Sequence, residues 1–144
     1  MNHRNELTTA LTMLLALGVP DVATAQGTKR ELDQFFASNY QYCDAKVLGA
    51  MWKNSITESK ARIGRKIGWG DIGILNDMLN TARGQADRDR RRACTFDEAG
   101  YSYDDAVKLA RVWKISVWDA KVGIESLVVR GQDSEVRRLL GRRN

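Results

Sequence analysis

Two pairs of tyrosines stand in the same short element, Tyr-x-Tyr-x-Asp-Ala. The first pair is Tyr40 and Tyr42, and the second is Tyr101 and Tyr103. Neighbouring tyrosine rings beside a lysine could stack on a peptide or a sugar. Tyrosines just before a helix can equally pin it to its neighbour, with the hydroxyl reaching a backbone carbonyl. Because the same element occurs twice in the chain, its tyrosines are explained first by a fold that both copies share, and we prefer the structural interpretation. We retain the four tyrosines as candidate binding residues.

The four tryptophans fall into two kinds. Trp52 and Trp113 occupy matching places in a repeated pattern and are predicted to belong to the core. Trp69 and Trp118 have no aromatic counterpart in that pattern. A tryptophan that the shared fold does not require is a better candidate for a specific contact with a partner.

Basic residues are concentrated in two stretches, 83–92 and 137–143, in a chain of formal net charge +5. Such stretches attract polyanions or anionic surfaces, and we take Arg137 and Arg138 as candidate binding residues. The alternative is that they are solvated helix ends, where cations are favourable, and this is slightly preferred.

Catalytic and metal-binding patterns are missing from the sequence. The lone histidine, His3, lies in the predicted signal segment, which leaves no histidine as a general base or metal ligand. No glycine-rich phosphate-binding pattern occurs, so we predict no cofactor. The carboxylates Asp44, Asp105, Glu58 and Asp119 could act in hydrolysis, but their positions suit helix caps. We therefore predict no catalytic residue and no metal site.

Cys43 and Cys94 are the only cysteines. In an oxidising compartment an even number favours a disulfide, here closing a loop of about fifty residues. Two separate buried thiols are the alternative.

The chain aligns with itself at an offset of 61 residues. The matching positions include rare residues and cover most of the chain. They are Tyr40 and Tyr101, Tyr42 and Tyr103, Asp44 and Asp105, Ala45 and Ala106, Leu48 and Leu109, Trp52 and Trp113, Lys53 and Lys114, Ser55 and Ser116, Lys60 and Lys121, and Ile63 and Ile124.

Each copy is predicted to form three helices. Asp44 is expected to cap the first helix, and Ser55-x-x-Glu58 is typical of the start of the second. Gly68 and Gly131 are expected to end the second helices in a left-handed conformation. No stretch alternates with the period of a strand, so the predicted class is all-α.

Residues 1–25 resemble a secretory signal peptide, with an apolar run over 10–19 and small residues at Ala23 and Ala25. We place cleavage before Gln26. The apolar run is too short to span a bilayer, so no membrane segment is expected after cleavage. A buried helix is the alternative. Residues 26–144 are predicted to form one helical domain, with repeat 1 over about 33–90 and repeat 2 over about 94–144.

Three functions remain open. The preferred hypothesis is a periplasmic or secreted binding protein that engages an anionic envelope polymer or a protein partner at the junction of the repeats. The second is a cytoplasmic nucleic-acid-binding protein, because residues 105–127 have the pattern of a helix-turn-helix, although few cations face outward there. The third is a hydrolase acting through carboxylates.

Overall fold

The computed structural model describes residues 22–88 and 93–142, and the side chains from residue 28 onward. The predicted signal segment thus lies almost wholly outside the described residues. Within them the chain forms seven helices and no strand, as the all-α prediction requires. The helices are α1 (Val22–Phe36), α2 (Tyr42–Trp52), α3 (Ile56–Gly68), α4 (Ile72–Arg88), α5 (Tyr103–Trp113), α6 (Val117–Val129) and α7 (Ser134–Leu139).

Helix α1 was not expected from the sequence. It begins at Val22, before the predicted cleavage point, and packs along α3. The contact is close because Gly64 has no side chain: a Cβ there would lie 2.7 Å from the carbonyl carbon of Glu31. Glu31 also pairs with Arg65, whose Nε is 2.7 Å from a carboxylate oxygen. Backbone contact and ion pair together attach α1 to α3. Below, residues 40–88 are called the first unit and residues 94–142 the second unit.

The starts of α2 and α5 correct one prediction. Asp44 is not the N-cap of α2 but its third residue, and Gln41 is the N-cap. The Asp44 carboxylate accepts the Gln41 backbone N–H at 2.9 Å. Asp105 does the same for the N-cap Ser102 at 2.7 Å. A carboxylate can satisfy a free N–H from either position, so the sequence alone misplaced the start by one turn.

Three-residue turns, 53–55 and 114–116, join α2 to α3 and α5 to α6. Lys53 and Lys114 hold left-handed conformations there, with φ of 57° and 58°. Ser55 and Ser116 then cap the next helix. Non-glycine residues rarely adopt this conformation. Its recurrence gives both turns the same geometry.

The ends of α3 and α6 bring a second correction. Gly131 has the expected left-handed conformation, with φ of +68°. In the first unit it is Gly70, with φ of +80°, and not Gly68 that is left-handed. Gly68 stays helical, and a Cβ on it would lie 2.7 Å from the side-chain oxygen of Gln34. It therefore serves the contact with α1, and the chain turns two residues later.

The buried side chains form two clusters, one from α1–α4 and the other from residues 94–136 together with Cys43 of α2. The first contains Phe35, Ala45, Val47, Leu48, Ile63, Leu75, Leu79 and Ala82. The second contains Cys43, Cys94, Tyr101, Ala106, Leu109, Ile124, Val128, Val129 and Val136. Ala86 and Ala93 pack against both. Trp52 and Trp113 lie at the edge of the clusters and are only partly buried.

A disulfide joins the two units, as the sequence predicts. It links Cys43 in the first turn of α2 to Cys94, with Cα atoms 5.6 Å apart. Both residues are buried. The bridge therefore fixes the start of α2 against the segment that leads into α5.

Candidate functional site

A cleft of about 360 Å³ lies where the two units meet, beside the disulfide. The start of α2, the segment 98–101 and the turn between α6 and α7 form its walls. Arg83 of α4, Arg137 of α7 and Arg142 also line it. We call this site the junction cleft.

Arg83 reaches across from the first unit to the second. Its guanidinium donates to the Asp44 carboxylate at 2.7 Å, at the start of α2. It also lies against Gly131, where a Cβ would come within 2.5 Å of the guanidinium carbon. Gly131 thus serves two purposes: its left-handed φ closes α6, and its missing side chain leaves room for Arg83.

Arg142 pairs with the equivalent aspartate of the second unit, Asp105. It donates to the Asp105 carboxylate at 2.6 Å and to the Gly100 carbonyl at 3.0 Å. Its guanidinium stacks on the Tyr101 ring, 5.0 Å from the ring centre. Burial alone would raise the pKa of Asp105, but hydrogen bonds from Ser102 and the charge of Arg142 lower it overall.

Arg137 is the third arginine of the cleft, and it is incompletely paired. One terminal nitrogen lies 3.2 Å from the Asp133 carboxylate. Its Nε is buried and has no hydrogen-bond partner among the described residues. A buried donor without a partner is costly. Arg138, the other predicted binding arginine, lies outside the cleft, exposed and paired with Glu135 at 2.7 Å.

Two of the candidate tyrosines hold elements together. Tyr101 is only 4% exposed, and its hydroxyl donates to Asp133 at 2.9 Å. Burial and this contact with Asp133 raise the pKa of Tyr101. Tyr40 is half-buried, and its hydroxyl donates to Asn76 of α4 at 2.7 Å. Both hydroxyls thus bind side chains of other elements, and not the backbone carbonyls that the sequence analysis expects.

The other two tyrosines are exposed beside lysines. Lys60 Nζ lies 5.1 Å from the Tyr42 ring centre, and Lys121 Nζ lies 4.9 Å from that of Tyr103. Tyr42 lines the junction cleft with Tyr101, whereas Tyr40 and Tyr103 do not. The two lysines are equivalent in the 61-residue alignment, so the cation-aromatic contact recurs in both units.

Trp69 and Trp118 are both largely exposed, at 68% and 62%, and neither lines the junction cleft. Trp69 follows α3 and borders a second groove, between α1 and α3. Trp118 lies in the first turn of α6. The structure therefore does not bring the predicted binding residues into one site.

Sequence reasoning placed Arg83 and Arg142 in the basic stretches but did not predict that each pairs with a carboxylate at a helix start. A signal was present in the repeated aspartates, Asp44 and Asp105. A carboxylate kept at the same helix start in both copies needs a nearby cation once it is buried. The long separations in the chain hid which arginines supply those cations.

The carboxylates considered for hydrolysis serve the helix starts. Glu58 accepts from the Ser55 backbone and side chain, and these bonds lower the pKa of Glu58. Asp119 accepts from the Ser116 hydroxyl at 2.6 Å. Among the described residues no three or more His, Cys, Asp or Glu side chains cluster as metal ligands. Within that same part of the chain, every helix is too short or too polar to cross a membrane.

No protein-family model, no curated protein and no solved structure matches the chain.

Proposed function

We propose that this chain is an exported helical binding protein whose junction cleft receives an anionic group of an envelope polymer or of an acidic protein surface. The observation that carries the proposal is the meeting of three arginines, Arg83, Arg137 and Arg142, at one cavity between the two units. The carboxylates of Asp44, Glu98 and Asp133 also line the cavity. The preference for a carboxylate or phosphate ligand therefore comes from the N–H donors that the three guanidinium groups keep available and not from net charge.

The arginines keep donors available for such a group. A guanidinium carries five N–H donors. Arg83 uses one terminal nitrogen on Asp44, and Arg137 directs one terminal nitrogen to Asp133. The paired carboxylates hold the guanidinium groups in place, so less conformational entropy is lost on binding. A cleft of about 360 Å³ accommodates a terminal or side group of a polymer and not its full width.

The two units are, in this proposal, tandem repeats. Their helices support it: α5 and α6 begin and end 61 residues after α2 and α3. The left-handed lysines, Lys53 and Lys114, and the glycines Gly70 and Gly131 have the same spacing. Packing of two similar units creates a junction, and the junction cleft is that groove.

Export is the second part of the proposal. Its support is the signal-like layout of residues 1–25 together with the buried Cys43–Cys94 bridge. Disulfides persist in the periplasm and outside cells, where the surroundings are oxidising. Mass measurement of the protein from its native host tests this directly. A chain beginning at Gln26 with two unreactive cysteines is expected, and a full-length chain with two free thiols would refute export.

The nucleic-acid alternative gains little support from α6, the helix that would read DNA. Its exposed residues include Trp118, Asp119 and Val122. Lys121 turns toward the rings of Phe96 and Tyr103. A face with a carboxylate and apolar side chains suits a phosphate backbone poorly.

Two neighbouring arginines provide a matched test of the junction cleft. Arg137→Gln and Arg138→Gln each remove one positive charge, but only the first changes the cleft. On a carboxylate-bearing matrix, we expect Arg137→Gln to elute at a clearly lower salt concentration than Arg138→Gln. If the two variants elute together, retention reflects net charge alone, and the cleft has no part in binding.

A further inference from the structure

A second groove lies between α1 and α3, and it shares no lining residue with the junction cleft. Its volume is about 530 Å³. Trp69 stands at its border, and Arg62, Arg65 and Lys66 of α3 line it with Thr28 of α1. We call it the Trp69 groove. No part of the function proposed above uses it.

Trp69 is exposed without being needed by the fold. Its backbone N–H donates to the Arg65 carbonyl at 3.1 Å at the end of α3, while its indole is 68% exposed. The equivalent position of the second unit, 61 residues later, is Arg130. An exposed indole offers a rigid apolar face and one N–H donor, which suits a ligand with both apolar and polar groups.

The cations beside Trp69 are held in place. Arg65 donates from Nε and a terminal nitrogen to Glu31, at 2.7 and 3.2 Å, and this pairing raises the pKa of Arg65. The Arg62 guanidinium stacks on Trp52, 4.3 Å from the ring centre. Lys66 lies 3.7 Å from Asp71. The groove therefore combines positioned positive charges with an aromatic platform.

The surface continues on the other side of Trp69. A smaller depression of about 150 Å³ is lined by Arg30, Gln34 and Gly68, and it shares Glu31, Arg65 and Trp69 with the larger groove. Trp69 thus stands between two depressions. This shape suits an extended chain that passes across the indole.

We propose that the Trp69 groove binds an acidic polysaccharide. A pyranose ring packs its C–H face on Trp69, and the carboxylates of neighbouring sugars lie against Arg62 and Lys66. Glu31 and Glu58 also line the groove, and their oxygens can accept sugar hydroxyls. The backbone of single-stranded DNA has no hydroxyl to donate to these carboxylates, whereas every sugar of a polysaccharide has, and this favours a polysaccharide over DNA.

The test uses the full chain and an oligogalacturonate of defined length, titrated by calorimetry. Trp69→Ala is expected to weaken binding about tenfold or more, as loss of an aromatic anchor does. Trp118→Ala removes an equally exposed tryptophan and is the matched control, with no change expected. Arg138→Gln removes one positive charge outside both the Trp69 groove and the junction cleft and should leave this binding unchanged, so an equal loss in that variant would mean that net charge alone holds the ligand.

Chemical protection gives a readout that needs no variant. Bound oligogalacturonate is expected to shield Trp69, but not Trp118, from oxidation by N-bromosuccinimide, as peptide mapping measures. Equal shielding of both, or unchanged affinity in Trp69→Ala, overturns the proposal. It is also overturned if an uncharged oligosaccharide binds as tightly, or if single-stranded DNA binds more tightly with the same dependence on Trp69.

Discussion

Replacing Gly64 by alanine tests how closely α1 packs on α3. The new Cβ would lie 2.7 Å from the carbonyl carbon of Glu31 and 3.2 Å from its Cα. The carbonyl oxygen of Glu31 would be nearer still, and ordinary carbon contacts begin near 3.4 to 3.5 Å, so α1 must move away by about 1 Å or more. Backbone atoms of a helix cannot turn aside as the end of a flexible side chain can. The substitution should therefore loosen the whole of α1.

Two opposing effects set the size of the change. Alanine in place of glycine favours a helix by up to about 1 kcal/mol. Overpacking of a close contact costs about 1 to 3 kcal/mol, and a gap of this width loses about a quarter to a half of the dispersion energy of the contact. Loss of the Glu31–Arg65 alignment adds to the cost. We expect a net destabilisation of about 1 to 2 kcal/mol, or roughly 4 °C in melting temperature per kcal/mol.

Thermal unfolding and amide hydrogen exchange measure this change. Gly84→Ala is the matched control, because Gly84 lies within α4 and a Cβ there would meet only the Arg88 guanidinium, 3.7 Å away. That variant should gain about 0.5 to 1 kcal/mol. In Gly64→Ala, amides of residues 28–36 should exchange faster while α5 and α6 are unaffected. Equal stabilisation of both variants, with α1 still protected, would refute the close packing.

Three further changes have defined outcomes. Reduction of the Cys43–Cys94 bridge should lower the free energy of unfolding by about 4 kcal/mol in the chain-entropy model, and equal denaturation midpoints for the reduced and oxidised protein would contradict this. The side-chain hydrogen bond from Lys46 lowers the pKa of Glu98 in the folded protein. This carboxylate therefore stabilises the fold above its unfolded pKa, about 4.3, and the stabilisation is lost as the pH falls through its lower folded pKa. Glu98→Gln should therefore be destabilised at pH 7 by about 1 kcal/mol and nearly unaffected at pH 2.5, as denaturant titrations at both values can show. Ser102→Ala removes the N-cap of α5 and should cost about 1 kcal/mol in thermal unfolding, with unchanged stability arguing against the cap.

The fold class and the helices of both units could be predicted because their signals are local. The spacing of Ala45, Leu48 and Trp52 marks one face of a helix, and Ser55 with Glu58 marks the start of the next. The N-cap of α2 was misplaced because Asp44 satisfies a backbone N–H equally well from the third helical position. That ambiguity is local too, and only the backbone conformation of Gln41 resolves it.

Helix α1 and the junction cleft depend on contacts between distant residues, which a single sequence does not reveal. Gly64 lies inside a helix, and nothing in its local sequence requires a glycine there. Only the close approach of Glu31, more than thirty residues earlier in the chain, explains why this position has no side chain. Arg83 and Arg142 were part of basic stretches that suited solvated helix ends. Their partners, Asp44 and Asp105, lie 39 and 37 residues away in the chain.

The position of the disulfide also determines how the protein responds to force. When the chain is pulled from its two ends, the force passes directly from Cys43 to Cys94 through the disulfide. The segment between these cysteines, which are 51 residues apart, carries no force while the bridge is intact. Fully extended, that stretch would measure about 180 Å at roughly 3.5 Å per residue. Helices α2, α3 and α4 would therefore be protected from stretching. Reduction of the disulfide would allow this segment to extend, and a single-molecule pulling experiment would record the extension as an increase in contour length.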